Sequence, residues 1–212
     1  MTTNDRRASA RGKAPRLIAI LLLAVAGCGG GGDESSDDPV AAGLSTNFIA
    51  DSSPICPGSP DTLGLTKISA VGRTAIIGVT VTDCNASLGI YGVVLDIDFD
   101  PAIMQCESAN PCAGGTLLSS PLLTSAPQCT CNNNTGELIA AFSKRAPGTN
   151  DTITGTAEVI MSFTMRARRA GIGRVDLTAT GSLNGSALAT LSGGSAVAIG
   201  SMTYVSGTIL AQ

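Results

Sequence analysis

From about Leu63 to the C-terminus, apolar and polar side chains alternate in short β-branched runs separated by Gly, Asn, Pro and Ser. Nothing in this part repeats the 3.6-residue period of an amphipathic helix over a useful length. The runs predict strands over 63–70, 74–83, 90–99, 116–118, 124–130, 137–143, 156–168, 173–181 and 195–210, the last broken near Gly200. About nine short strands in one domain predict an all-β fold built as a two-sheet antiparallel sandwich. A domain of this size buries roughly two-thirds of its unfolded surface, enough for one core.

The phase of the alternation says which side chains face that core. In residues 93–99, Val93, Leu95, Ile97 and Phe99 share one parity, and Val94, Asp96 and Asp98 the other. Successive strand side chains point to opposite faces, so the first set is expected inside and the second on a solvated outer face. The same split places Val159, Met161, Phe163 and Met165 inward, and Glu158, Ser162, Thr164 and Arg166 outward. Asp100 precedes Pro101, which cannot donate to a ladder, and reads as a turn residue. Asp96, Asp98 and Asp100, with Glu107 eleven residues after Asp96, reproduce part of a calcium-loop spacing. Such a loop needs glycine at its sixth position, where Pro101 stands, and follows a helix rather than a strand. The acids therefore read as one wet strand face, and no metal or other cofactor is expected.

Composition changes the picture at the N-terminus. Residues 1–16 carry Arg6, Arg7, Arg11, Lys13 and Arg16 against Asp5, and "LIAILLLAVAG" leads from Leu17 into Cys28. A basic stretch, an apolar run short for a bilayer and small residues before a cut site mark a secretory signal. "VAGC" (Val25–Cys28) resembles a bacterial lipobox, which implies lipid attachment at Cys28. "GGGGDESSDDP" then supplies a flexible acidic tether. The organisation expected is a signal over 1–27, a tether over 28–55 and one binding domain over 56–212. Gly29 after the cysteine implies a lipid-anchored place in the bacterial cell envelope, at the outer membrane.

Taking away residues 1–27 removes five basic residues and one acidic one, leaving 8 against 15 and a net charge of −7. That balance argues against nucleic acid, which requires clustered Lys and Arg. The run Arg166, Arg168, Arg169 reads as a solvated strand end. Beyond Cys28 there are six cysteines: Cys56, Cys84, Cys106, Cys112, Cys129 and Cys131. An even number in an exported chain predicts three disulfides. Zinc is disfavoured because the chain has no histidine and no C-x-x-C pair. Cys129 and Cys131 stand one residue apart, too close to bridge without strain. They are expected to reach separately to Cys106 and Cys112, leaving Cys56 for Cys84.

Five segments in order then resemble the strands of the cohesin family: "AVGRTAIIGVTVTDC", "GIYGVVLDIDFDPAIMQ", "GELIAAFS", "GTAEVIMSFTMRA" and "YVSGTI". The most telling piece is an aromatic-Asp-Pro after an alternating strand, here Phe99-Asp100-Pro101, followed by Ile103 or Met104. The resemblance implies a nine-stranded jelly-roll sandwich, related in fold to bacterial cellulose-binding modules, that does no chemistry and binds dockerin modules. In the best-known cohesin group a polar pair two residues apart, in the strand before Asp-Pro, helps grip the dockerin. Those positions are Gly92 and Val94 here, so that recognition code is absent.

The expected function is a surface-anchored, non-catalytic module recognising a dockerin-like protein partner through a sheet face. The face used by the family implies Val94, Asp96, Asp98, Ile139 and Ala141, a small apolar strip with acids, suited to a partner with an apolar centre and a basic rim. Binding of a polysaccharide is the alternative. Sugar faces typically stack flat aromatics on pyranose rings, and this chain has no Trp and only Tyr91 and Tyr204. An enzyme is disfavoured: there is no histidine base, no G-x-S-x-G elbow and no Ser three residues before a Lys. Asp96 and Asp98, as neighbours on a solvated face, lack the burial that would set one apart as a glycosidic acid.

Overall fold

The computed structural model describes residues 43–52, 56, 60–84, 88–118, 128–144, 149–153, 157–178, 185–200 and 202–212. The expected signal over 1–27, the lipid site at Cys28 and the tether as far as residue 42 lie outside the described residues, as does the start of the strand expected over 124–130.

In chain order the strands are β1 (Thr46–Ala50), β2 (Asp61–Val71), β3 (Thr74–Thr82), β4 (Gly89–Ile90), β5 (Gly92–Phe99), β6 (Met104–Cys106), β7 (Cys112–Gly114) and β8 (Gln128–Asn132). There follow β9 (Glu137–Ser143), β10 (Asp151–Thr152), β11 (Glu158–Ala167), β12 (Gly171–Leu177), β13 (Ala187–Ser192), β14 (Ser195–Ala198), β15 (Met202–Val205) and β16 (Gly207–Ala211). Among the described residues sixteen segments replace the nine expected: 90–99 divides into β4 and β5 and 195–210 into β14, β15 and β16, while β1, β6, β7, β10 and β13 lie outside every expected run. Ser206, for example, separates β15 in the smaller sheet from β16 in the larger one.

β5 is the central strand of the larger, eight-stranded sheet. One of its edges pairs antiparallel with β9 from Gly92 to Asp98, and β9 pairs in turn with β8. Its other edge is shared: β13 pairs with Gly92–Val94 and carries β14, while β12 pairs with Ile97–Phe99 and leads on to β16 and β1. The smaller sheet runs β15-β2-β3-β11, with β6 and β7 both along the free edge of β11. β4 and β10 form a separate two-stranded ribbon.

The period-two pattern builds the core between these sheets. Val93, Leu95, Ile97 and Phe99 of β5 are all buried in it, with Leu138, Ala140 and Phe142 of β9. Ile77, Val79 and Val81 of β3 and Met161, Phe163 and Met165 of β11 face them from the smaller sheet. Burying each large apolar side chain is worth about 1.5–3 kcal/mol. One expected inward residue is displaced: the β3–β11 register shifts between Val159 and Met161, so Ile160 is fully buried and Val159 only partly. An extra residue at a bulge resets strand parity, which a strict alternation cannot foresee.

Two other expectations are corrected. The tether expected over 28–55 contains a strand: Thr46–Ala50 is an edge strand, paired with β16 residue for residue from Thr46–Ala211 to Ala50–Gly207. Phe48 drives this, because its ring is buried in the common core. The segment 116–118 is not a strand; it is a turn in which Leu118, at φ 57°, is fully buried.

The cysteines form three bridges, Cys56–Cys84, Cys106–Cys131 and Cys112–Cys129, with Cα separations of 5.0, 6.4 and 6.0 Å. The last two join β6 and β7 of the smaller sheet to β8 of the larger one. They stitch one side of the sandwich shut, each contributing about 2–5 kcal/mol.

Candidate functional site

The outer face of the larger sheet can be read row by row from the register. Gln128, Ala141, Val94 and Ala187 stand side by side in one row across β8, β9, β5 and β13. In the next row are Thr130, Ile139 and Asp96, and in the third Asn132, Glu137, Asp98 and Asp176, the last from β12. Val94, Asp96, Asp98, Ile139 and Ala141 are thus brought together on β5 and β9, as the strand parity requires.

Above the first row the surface is concave. A hollow of about 470 Å³ opens there, its lining mostly Gly92, Val94, Ala141, Ala187, Ala189 and Ala198, with Gln128 and Ser143 at its polar rim. Small side chains make it. Gly92 is fixed by its neighbour strand, since a Cβ there would lie 2.8 Å from Cβ of Ser143 and 3.2 Å from the Phe142 carbonyl oxygen. No side chain fits at that position, polar or apolar.

The third row is electrostatically different. Asp98 lies directly between Glu137 and Asp176. Partial desolvation first, then the charges of Asp96, Glu137 and Asp176, push its carboxyl above the usual aspartate value. No cation pairs with it among the described residues. Arg174, on the same face, is already committed. Its guanidinium donates to both carboxylate oxygens of Asp51 at 2.7 Å and to Asp176 at 2.7 Å. The bond to Arg174 holds the Asp51 carboxyl low, and Asp51 and Asp176 push the Arg174 guanidinium up.

Asp96 corrects the sequence reading. It points to the outer face, but only 1% of it is exposed. It stands where the edge of β5 passes from β12 to β13. Thr178 and Ser186 flank Asp96 there: Thr178 donates its backbone N–H and its hydroxyl to the Asp96 carbonyl, and Ser186 exchanges hydroxyl bonds with the Asp96 main chain, all at 3.0 Å. Oδ2 of Asp96 has no hydrogen-bond partner among the described residues. A buried carboxylate oxygen without a donor costs stability. Asp98, by contrast, is exposed.

The remaining residues singled out by sequence fall away from this face. Asp100 caps the turn after β5, its carboxylate accepting from Ala102 N–H at 2.9 Å. Arg168 is tied by its side chain to the Pro101 carbonyl. Sequence reasoning missed β13, the partner of β14, although Gly193-Gly194 between two apolar runs is a hairpin signal. It also missed Lys144, which is buried against Asp151 just beyond β9.

This arrangement of sheets is found in solved structures. A type II cohesin domain from the cellulosome of Acetivibrio cellulolyticus superposes with a TM-score of 0.54, over 72% of this chain and 95% of that one, at 14% identity. The chain has the cohesin fold. The second type II cohesin module of the cellulosomal adaptor ScaA scaffoldin from the same organism gives a TM-score of 0.51 at 15% identity, over 69% of this chain and 94% of that one. A type II cohesin dyad from ScaA, of which this chain covers 48%, also gives 0.51, at 13% identity. No family model matches the sequence, and no curated protein matches it. In this cohesin-fold domain the positions expected to carry a polar gripping pair, Gly92 and Val94, instead line the apolar hollow.

Proposed function

We propose that the chain is a non-catalytic binding module, held at the bacterial cell envelope by lipid on Cys28, that takes a dockerin-like protein partner on the outer face of its larger sheet. The observation that carries this reading is the hollow of Gly92, Val94, Ala141 and Ala187 on the same face as the row Glu137, Asp98, Asp176, two rows further along. An apolar knob on the partner fills the first, and a Lys or Arg about four strand residues away meets the second. Apolar lining where a polar pair would stand favours a partner whose code differs from that of the best-known dockerins. The solved neighbours, modules of a cellulosome and of an adaptor scaffoldin, support an assembly role.

Polysaccharide binding receives no comparable support. All four phenylalanines and Tyr91 are buried. Tyr204 is half-buried, with its hydroxyl donating to the Ser186 carbonyl at 2.6 Å. No ring is left lying flat on the face for a sugar to stack upon.

The test is capture of secreted proteins, and of a panel of dockerin modules, by the immobilised chain. V94K places a charge in the hollow and is expected to weaken capture at least about tenfold, with the thermal midpoint unchanged. Equal capture by wild type, V94K and A141K removes this face from consideration.

A further inference from the structure

The larger sheet ends in three different edges. β8 is tied to the smaller sheet by Cys106–Cys131 and Cys112–Cys129. β1 is closed by the turn between β2 and β3, where Thr46 donates its N–H to Gly72 and its hydroxyl to Gly72 and Thr74 carbonyls. Among the described residues β14 has no such cover: it pairs with β13 alone, and all four of its residues, Ser195–Ala198, are exposed.

Natural edge strands are guarded by being very short, or by Lys, Pro, a bulge or a covering segment, because their open N–H and C=O groups otherwise pair with another chain. Ser195–Ala198 is short but carries none of the others among the described residues. No charged residue occurs from Leu177 to Gln212, whereas the chain from Cys28 onward carries −7. Val197 is 48% exposed beside Ala196 and Ala198.

We infer that β14 is a self-association edge, on which a second copy of this chain adds its own β14 antiparallel to make one continuous sheet. The charge distribution selects the second copy as occupant. Two strongly acidic molecules repel each other over most of their surfaces, and meet without that penalty only where the surface is uncharged. The geometry is self-complementary. Residues opposed across an antiparallel pair share a face, so a two-fold axis normal to the sheet must pass through a residue. With the axis at Val197, the two valines meet, and Ala196 opposes Ala198 of the partner subunit. Ala198 also lines the hollow, so the two hollows come to lie on one joined face. Four residues form few ladder bonds, and the dimer belongs to the weak, concentration-dependent class.

Sedimentation of the purified full chain over micromolar to millimolar concentrations is the test. Wild type is expected to pass from monomer to dimer, and V197K, which sets two ammonium groups face to face, to remain monomeric with an unchanged thermal midpoint. V197C is expected to give a dimer on mild oxidation that reducing agent dissolves. A196K, on the other face of the same strand, serves if V197K lowers the folded yield. A wild type that stays monomeric, or lysine variants that associate as wild type does, overturns the inference. A monomeric wild type whose capture of a secreted protein is lost in V197K assigns the edge to that protein instead. The partner-face reading fails separately, through V94K.

Discussion

The β8 side and the β13–β14 side of the same sheet border the same hollow, yet they are held by different means. On the β8 side, two disulfides reach across to β6 and β7. On the other, no disulfide reaches the hairpin among the described residues; Leu188 is buried in the core and hydrogen bonds do the rest. Asn150 accepts from Leu191 N–H at 2.7 Å and donates back to the Leu191 carbonyl at 3.3 Å, and Tyr91 N–H donates to Ala189. One wall of the site is covalently fixed and the other can adjust. A binding hollow between a rigid wall and a softer one can admit a knob and then close on it, with the cost of closure falling on the hairpin.

That contrast can be broken at its strong side first. Replacing Cys106 and Cys131, or Cys112 and Cys129, by serine is expected to cost about 2–5 kcal/mol for each bridge, read as a lowered midpoint in denaturant. A loss near zero would mean that the β6–β8 side is closed by packing rather than by sulfur. The soft side gives a smaller effect. N150A removes two hydrogen bonds and is expected to cost about 1–2 kcal/mol, with faster amide exchange confined to residues 187–198. Exchange rising equally in β8 would show that the two walls move together.

The smallest effect sharpens the electrostatic part. Because the folded-state pKa of Asp98 is raised, its ionised form weighs against the fold above that value, and the penalty fades as pH falls through it. D98N is therefore expected to be more stable than wild type at neutral pH by a few tenths of a kcal/mol, given its exposure. The two should converge in acid. The same substitution is expected to weaken capture of a cationic partner. Greater stability with undiminished capture would show that the acidic row takes no part in binding.

How much of this the sequence discloses depends on how local the cause is. β3, β5, β9 and most of β11 are legible because each carries its own period-two pattern, and β5 places Val94 and Asp98 on the outer face. The bulge at Ile160 is not legible, since one inserted residue leaves no mark in composition. β1 is hidden because Thr46–Ala50 follows a Gly- and Asp-rich stretch and its strand partner is β16, far along the chain. β13 is hidden because "ALATLS" lacks β-branched or aromatic residues apart from Thr190. The burial of Asp96 is least legible of all. The residues that flank it, Thr178 and Ser186, lie more than eighty residues away.

The pairing of β1 with β16 makes closure of the larger sheet a long-range event. Thr46–Ala50 has as its ladder partner Gly207–Ala211, which also borders β12. Neither flank of β16 can zip until strands far apart in sequence have met, so no local hairpin can nucleate that part of the sheet. Such closure is slow to form, because the entropy of a large loop is lost before the ladder rewards it.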